Sequence, residues 1–195
     1  KRDFNSLEDI KKIPTLKKDI VKSSPESFYN ERFKKGKYIE LKTSGSTGMP
    51  LEVRVSKNAW IVEQAVVWRH WRWANYNFRD VMAIVRSYVG KDGVLYKDDN
   101  LRNFQFYSPF HINDENGKKY IERMIKKKTL FLRGYPSSIK SLALIVQKFN
   151  LETPKLKAVL VASERLSESD RKIIEDNFKT RVYNHYGLAD ICVMM

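Results

Sequence analysis

The chain has 195 residues, of which 42% are hydrophobic, and its 37 Lys and Arg residues against 23 Asp and Glu residues leave a net charge of +14. This apolar content excludes a disordered tail and can fill the core of one domain, or of one domain and a piece of another. The single cysteine excludes an internal disulfide framework and predicts a cytoplasmic protein. No apolar run is long enough to span a bilayer, and the Lys-rich segment Lys1–Ile20 lacks the apolar centre of a secretory signal.

The first pair of strands is predicted on either side of a polar loop. Tyr38–Lys42 leads into the loop, and the alternation of apolar and polar residues over Leu51–Ser56 is typical of a half-buried hairpin strand. The loop itself carries hydroxyl groups and glycines, at Thr43, Ser44, Gly45, Ser46, Thr47 and Gly48. Backbone N–H groups and hydroxyls in such a loop can surround a phosphate, although the same residues also form ordinary polar turns.

Apolar runs and helical stretches alternate along the rest of the chain. Strands are predicted at 81–87, 104–110, 130–132, 156–162 and 181–183, and helices at about 58–74, 118–127, 138–149 and 167–178. This alternation predicts an α/β fold, with a mostly parallel sheet flanked by helices and a β-hairpin that bears the phosphate loop. The segment Gly90–Asn100, rich in Gly, Asp and Lys, is predicted to be a mobile loop.

The positive charge raises the question of nucleic-acid binding, because basic and aromatic residues alternate over Trp68–Trp73. Ile61, Ala65, Trp68 and Arg72 nevertheless recur at helical spacing. This spacing favours an amphipathic helix whose aromatic residues enter the core while its arginines line a rim. A nucleic-acid partner is therefore not expected.

Two motifs resemble those of a known superfamily. The loop Thr43–Pro50 is similar to the phosphate loop of the adenylate-forming superfamily, which includes the acyl-CoA synthetases, and Tyr186–Asp190 resembles a second motif of the same proteins. From Asn184 onward the sequence is most similar to the phenylacetate-CoA ligase branch and to related capsular-polysaccharide-biosynthesis proteins. The segments Gly134–Ser137 and Ala162–Leu166 also resemble stretches of that branch.

The resemblance implies a role for each matching residue. It assigns the ATP phosphates to the loop 43–48, the nucleotide to Ser163, Glu164, Asn184, Tyr186 and Gly187, the substrate to Tyr135, Pro136 and His111, and Mg²⁺ to Asp190. Two departures are a Met at 49, where relatives often carry Lys, and an Asp at 190 in place of Glu. Structural roles stay open for several of these residues: Glu164 as a helix cap, and Gly134–Pro136 as a turn.

The implied activity is ATP-dependent conversion of a carboxylic acid to an acyl-adenylate, followed by transfer to CoA or another acceptor. The cofactors implied are ATP and Mg²⁺, with CoA as co-substrate, and the partners are a small carboxylate and a nucleotide; a homo-oligomer is left open. The resemblance further implies that residues 1–195 form part of the N-terminal AMP-binding domain and that the C-terminal lid domain is absent. This chain alone is then expected to be inactive, and the alternative is a nucleotide-binding fragment without turnover.

Overall fold

The computed structural model describes residues 6–30, 38–42, 51–88 and 94–187. The chain forms two compact units, Lys1–Trp60 and Ile61–Met195, which are considered separately below. None of the helices in the described ranges has both the length and the apolar character of a membrane span.

The first unit contains the predicted hairpin. Strand β1 (Tyr38–Lys42) pairs antiparallel with β2 (Glu52–Ser56), and Lys42 lies opposite Glu52. Before the hairpin come 3-10 turns at Leu7–Lys12 and Pro25–Phe28 and a short helix, α1 (Lys18–Ser23). The hairpin is confirmed, whereas the predicted phosphate loop, 43–48, lies outside the described residues.

The second unit is built around a six-stranded sheet. Its strands are β3 (Met82–Val85), β4 (Tyr96–Asp99), β5 (Phe104–Tyr107), β6 (Phe131–Gly134), β7 (Ala158–Ala162) and β8 (Val182–His185). They lie in the order β4-β5-β3-β6-β7-β8, and every pairing is parallel except the one that joins the edge strand β4 to β5. The predicted α/β fold with a mostly parallel sheet is therefore confirmed.

Helices cover both faces of this sheet. The helices are α2 (Lys57–Trp73), α3 (Asp114–Lys126), α4 (Pro136–Phe149) and α5 (Glu168–Phe178). One apolar cluster joins sheet residues such as Val85 and Val159 to α3, α4 and α5, and a second joins Met82 and Leu160 to Trp71 of α2. Alternate residues of each strand thus face α2 or the other three helices, as the twofold period of a strand requires.

The helix predicted at 58–74 is confirmed as α2, but the face that its spacing predicted for the core is only partly buried, because Ile61 is 58% exposed and Ala65 also lies on the surface. Trp71 is only 5% exposed, whereas Arg69 and Arg72 lie on the surface. The Trp71 ring packs against Tyr76 and Phe104, at centroid distances of 5.3 and 6.3 Å. These three rings belong to the core, whereas Trp73 and Phe78 lie on the surface, so only part of the aromatic set enters the core as predicted.

The prediction of a mobile loop at Gly90–Asn100 is wrong for the second half of this segment, because Tyr96–Asp99 forms the edge strand β4. This segment is held in place by residues that are distant from it in the sequence. The Asp98 carboxylate binds Arg123 at 2.7 Å and Lys127 at 2.9 Å, and the Arg123 guanidinium lies 4.2 Å from the Tyr96 ring centroid. Residues 89–93 lie outside the described part.

Several element boundaries also differ from the prediction. The strand predicted at 104–110 ends at Tyr107, because Pro109 has no N–H to donate and begins a 3-10 turn. Helix α3 starts four residues early, at Asp114, where the Asn113 side chain accepts a hydrogen bond from the Asn116 N–H at 2.8 Å. The predicted start of α5 at Ser167 is confirmed, because the Ser167 Oγ caps the helix by accepting a 3.1 Å hydrogen bond from the Asp170 N–H.

Candidate functional site

The carboxyl ends of four adjacent parallel strands meet at one edge of the sheet. Arg86 follows β3, Tyr135 follows β6, Ser163 follows β7 and Tyr186 follows β8. Open parallel sheets bind ligands outside this edge. The structure thus brings together at one edge the three matched segments that lie in the described part of the second unit.

Arg86 connects three of these strand ends. Its Nη2 atom donates to the Ser163 Oγ at 3.4 Å, and its guanidinium lies 5.2 Å from the Tyr135 ring centroid. The Tyr135 hydroxyl is in turn 3.1 Å from the Ser87 Oγ. Arg86 is part-buried and gives this edge a cation next to the Ser163 hydroxyl and the Tyr135 ring.

Glu164 contacts a helix in this structure. Its Oε2 atom accepts a hydrogen bond from the Ser137 N–H at 3.0 Å, in the first turn of α4. A carboxylate in this place satisfies a free helical N–H and interacts favourably with the helix dipole. The capping role left open by the sequence is therefore present, and Pro136 starts the same helix as a buried residue.

Two backbone features shape the edge. Ser163 has a φ of 75°, in the left-handed region that favours glycine. At Gly134, the last residue of β6, a Cβ atom would lie 2.8 Å from the Val85 carbonyl oxygen and 2.7 Å from Ile139 Cδ1. Close contact between β6, β3 and α4 at this edge therefore requires glycine at position 134.

The remaining residues predicted for the site have different surroundings. Tyr186 is 52% exposed, Asn184 is also exposed, and Gly187 is half-buried. His111 ends the 3-10 turn after β5, where its Nδ1 atom lies 2.7 Å from the Ser108 Oγ. The loop 43–48 and Asp190 lie outside the described residues.

A charged and aromatic group on the α2 face was missed by sequence reasoning. Arg133 projects from β6 toward this face, with its guanidinium 4.8 Å from the Trp71 ring centroid. His70 of α2 is 5% exposed, and its ring centroid lies 5.3 Å from that of His185. The sequence offered two signals of this group: an Arg within an apolar strand, and a His on the apolar side of a helix.

Burial determines the charge of these groups. Burial, helped by repulsion from His185 and Arg133, lowers the pKa of His70 to about 4, and burial likewise lowers the pKa of His185. Burial also lowers the pKa of Arg133 to about 10, a value at which the guanidinium still carries its charge at neutral pH. The two histidines are therefore neutral and the arginine is charged.

Metal ligands do not cluster in the described part of the chain. Within residues 6–30, 38–42, 51–88 and 94–187, no group of three or more His, Cys, Asp or Glu side chains could hold an ion. The Mg²⁺ prediction therefore depends on Asp190, which lies outside these ranges.

Comparison with known proteins gives one curated relative and many similar structures. The chain is 24% identical over 197 residues to Protein CapK of Staphylococcus aureus, a match that covers 95% of this chain and 42% of CapK. No family model matches the chain.

The similar structures include CoA ligases. An open conformation of 2-hydroxyisobutyryl-CoA ligase in complex with 2-HIB-AMP and CoA superposes with a TM-score of 0.61 at 16% identity, covering 90% of this chain and 43% of the ligase. The same ligase in its postadenylation state gives a TM-score of 0.60 at 20% identity, covering 95% of this chain and 41% of that one. The structure of VinN gives a TM-score of 0.54 at 13% identity, and the match covers 77% of this chain and 36% of VinN.

The chain thus spans about two-fifths of the length of these relatives. At these identities the likeness to solved structures shows the fold. The described part of the chain has the fold of part of 2-hydroxyisobutyryl-CoA ligase, in agreement with the fold that the resemblance implied.

Proposed function

We propose that the complete protein activates a carboxylic acid with ATP and then transfers the acyl group to CoA or another acceptor. The observation that carries this proposal is the group of Arg86, Ser163 and Tyr135 at the carboxyl edge of a parallel sheet whose fold is that of CoA ligases. The similarity to CapK supports placing the chain in the phenylacetate-CoA ligase and capsular-polysaccharide branch. Residues 1–195 would form part of the AMP-binding domain.

The proposed chemistry needs no general base, because the attacking carboxylate is already ionised. A carboxylate oxygen bonds to the α-phosphorus, the bond from that phosphorus to the bridging oxygen breaks, and pyrophosphate leaves. The acceptor thiol of CoA would then attack the acyl carbonyl and release AMP. Catalysis by this chain would rest on positioning and on electrostatic stabilisation.

Each residue of the edge has a proposed part in this reaction. Tyr186, whose ring is exposed, would stack on the adenine, and Ser163 would border the nucleotide. Hydroxyls and N–H groups of the loop 43–48 would hold the phosphates. Bound Mg²⁺ would offset phosphate charge, with Asp190 as its ligand.

Binding of AMP to the 195-residue chain tests the nucleotide site, with isothermal titration calorimetry as the readout. Tyr186→Ala should weaken AMP binding about tenfold through lost stacking, and Tyr186→Phe should preserve it. Phe78→Ala, at another exposed aromatic ring, is the matched control. Equal affinities of the wild type and Tyr186→Ala would remove Tyr186 from the site.

The phosphate loop has a separate test with ATP. The double variant Ser46→Ala with Thr47→Ala should weaken ATP binding without changing the unfolding midpoint, since hydroxyls of a loop contribute little to stability. Ser23→Ala with Ser27→Ala removes two exposed hydroxyls of the same unit as a control. Unchanged ATP affinity in the first double variant would mean that the loop is only a turn.

The activity itself is tested on a longer gene product by carboxylate-dependent exchange of labelled pyrophosphate into ATP. Exchange with at least one acid supports the ligase. Nucleotide binding without exchange across a wide panel of acids would instead support the alternative, a nucleotide-binding module without turnover.

A further inference from the structure

Arg86 lies between two parts of the carboxyl edge of the sheet. It follows β3, which has β5 and β4 on one side and β6, β7 and β8 on the other. The residues proposed to border the nucleotide, Ser163 and Tyr186, follow β7 and β8. Since β7 is two strands away, it lies about 10 Å from β3. The Arg86 side chain crosses toward this side and donates to the Ser163 Oγ at 3.4 Å.

A cleft of about 570 Å³ lies on the other side of Arg86, toward β5 and β4. Its lining includes Arg86 and Ser87 after β3, Lys97 of β4 and Phe106 of β5. This volume is within the range of small-molecule sites, and an aromatic wall with a few polar groups is typical of them. Arg86 therefore joins the cleft to the strand ends at which the nucleotide is proposed to lie.

Two acids, Asp98 and Asp99, also line the cleft. The Asp98 carboxylate binds Arg123 at 2.7 Å and Lys127 at 2.9 Å. The Asp99 carboxylate accepts a hydrogen bond from the Arg102 N–H at 3.2 Å and lies 3.4 Å from the Arg102 guanidinium. Both acids thus have cationic partners other than Arg86, so they do not neutralise its charge.

Arg86 is half-buried and has no counter-charge among the described residues. Its contacts are the Ser163 hydroxyl and the Tyr135 ring, and no carboxylate of the described part lies within ion-pair distance. Glu63 of α2 is attracted by Arg86 without pairing with it. A partly desolvated cation without a partner is costly, and an anionic ligand would relieve that cost. Lys97, the other cation of the lining, is exposed and keeps its hydration.

We propose that Arg86 binds the reacting carboxylate of the acid substrate, with the rest of the acid in the cleft beside it. This inference rests on the proposed ligase function and assigns a substrate contact within the same site. The planar fork of a guanidinium matches a carboxylate. One carboxylate oxygen would stay on Arg86 while the other bonds to the α-phosphorus and pyrophosphate leaves. Because the carboxylate and the phosphate are both anions, a cation between them offsets the repulsion that opposes their approach.

Acetate is the probe for this site, because every carboxylic acid carries the group that acetate offers. Acetate titrated into the isotope-labelled 195-residue chain at constant ionic strength should shift the NMR resonance of the Arg86 Nε–H until it saturates. We expect half-saturation at about 10 mM for a charge-assisted pair with so small a ligand. Acetamide has the same size and no charge, and should leave the resonance in place. The Nε–H of Arg181, an exposed arginine before β8, is the internal control.

This titration needs only the wild type, so it does not depend on whether a variant folds. An unmoved Arg86 resonance, or equal shifts with acetate and acetamide, would overturn the inference. If AMP shifts the Arg86 resonance and displaces acetate from it, Arg86 holds the phosphate and the inference is wrong.

Kinetics of the longer gene product test the same contact in the reaction. With an acid that supports pyrophosphate exchange, Arg86→Met should raise the KM for the acid at least about tenfold and the KM for ATP by less than about threefold. Arg86→Lys keeps the charge but loses the planar fork, and should lie between Arg86→Met and the wild type. Arg181→Met is the matched control and should leave both constants unchanged. Equal rises in the two KM values, or an unchanged KM for the acid, would contradict a carboxylate at Arg86.

The two experiments separate this inference from the proposed function. Exchange by the wild type without an acetate shift at Arg86 would leave the ligase proposal standing and remove this role of Arg86. Absence of both exchange and AMP binding would count against the ligase proposal itself, and the acetate titration would still decide whether Arg86 binds a carboxylate.

Discussion

Ser163 adopts a left-handed backbone conformation, with φ at 75°, directly after β7. A side chain in this region costs about 1 kcal/mol or more, whereas glycine adopts it freely. The serine hydroxyl is retained in contact with Arg86 at 3.4 Å. Backbone strain next to a cation at a strand end is typical of a functional position.

The backbone strain at Ser163 predicts an unusual order for the stabilities of its glycine and alanine variants. Ser163→Gly should be more stable than Ser163→Ala by about 1 kcal/mol, because only alanine keeps the side-chain clash. At Ser141, an exposed position inside α4, the order should reverse by a similar amount. Urea unfolding midpoints of the four variants measure both differences, and the same order at the two positions would contradict the strain.

Because His70 is buried and neutral, we expect the stability of the protein to depend on pH. The pKa of His70 is about 4 in the folded state and near 6.5 when unfolded, so the unfolded state binds more protons between these values. The contribution of neutral His70 to the free energy of unfolding is fully present above pH 6.5. It is lost as the pH falls toward 4, and the loss is about 3 kcal/mol in all. His70→Gln should flatten this part of the curve of unfolding free energy against pH. Above pH 7 the variant and the wild type should differ by a constant amount, and an equally steep variant curve at low pH would contradict the prediction.

At the scale of elements, β6 is the strand that positions most of the residues at the carboxyl edge. Arg133 and Gly134 belong to it, Tyr135 follows it, and it lies between β3 and β7. Helix α4 begins immediately afterwards and receives its cap from Glu164, which follows β7. The position of the site thus depends on how closely β6 approaches β3 and α4.

Gly134→Ala should test this close approach. The added Cβ would lie 2.8 Å from a backbone oxygen of β3, which cannot move without shifting the strand, so we expect a loss of about 2 kcal/mol of unfolding free energy. Gly117→Ala in α3 meets only side-chain atoms of Ile145, with Cδ1 nearest at 2.5 Å, and gains helix propensity. It should therefore cost less than Gly134→Ala. Chemical denaturation measures both, and equal costs would mean that β6 can shift freely.

At the scale of the whole molecule, the net charge of +14 would attract any polyanion. Of the aromatic rings in and after α2, Trp71 is buried, whereas Trp73 and Phe78 are more than half exposed. Association with nucleic acid would draw on this positive charge, whereas a nucleotide site would use specific contacts.

Salt dependence separates these two kinds of binding. Affinity for single-stranded RNA should fall by at least about tenfold between 50 and 200 mM salt, because counterion release drives it. Affinity for AMP should change much less over the same range, since stacking and hydrogen bonds carry it. Fluorescence titrations at both concentrations measure the two slopes. RNA binding that resists salt, together with absent AMP binding, would contradict the proposed function.

The sequence by itself determined those features that depend on residues close together in the chain. The alternation at Leu51–Ser56 predicted the hairpin strand, helical spacing predicted α2, and Ser167 predicted the start of α5; all three are confirmed. The alternation of strands and helices also predicted the mostly parallel sheet, at whose carboxyl edge the matched segments lie. Local hydrogen bonding and periodic burial leave a direct record in the sequence.

Only the tertiary structure decided features that depend on partners far along the chain. Strand β4 forms because Asp98 meets Arg123 and Lys127, Glu164 caps a helix 27 residues earlier, and Arg86 reaches Ser163 across 77 residues. The burial of His70 and the partial burial of Arg133 likewise follow from the packing of α2 on the sheet. Such contacts leave no local periodicity, because the free energy that selects them arises only when the chain has folded.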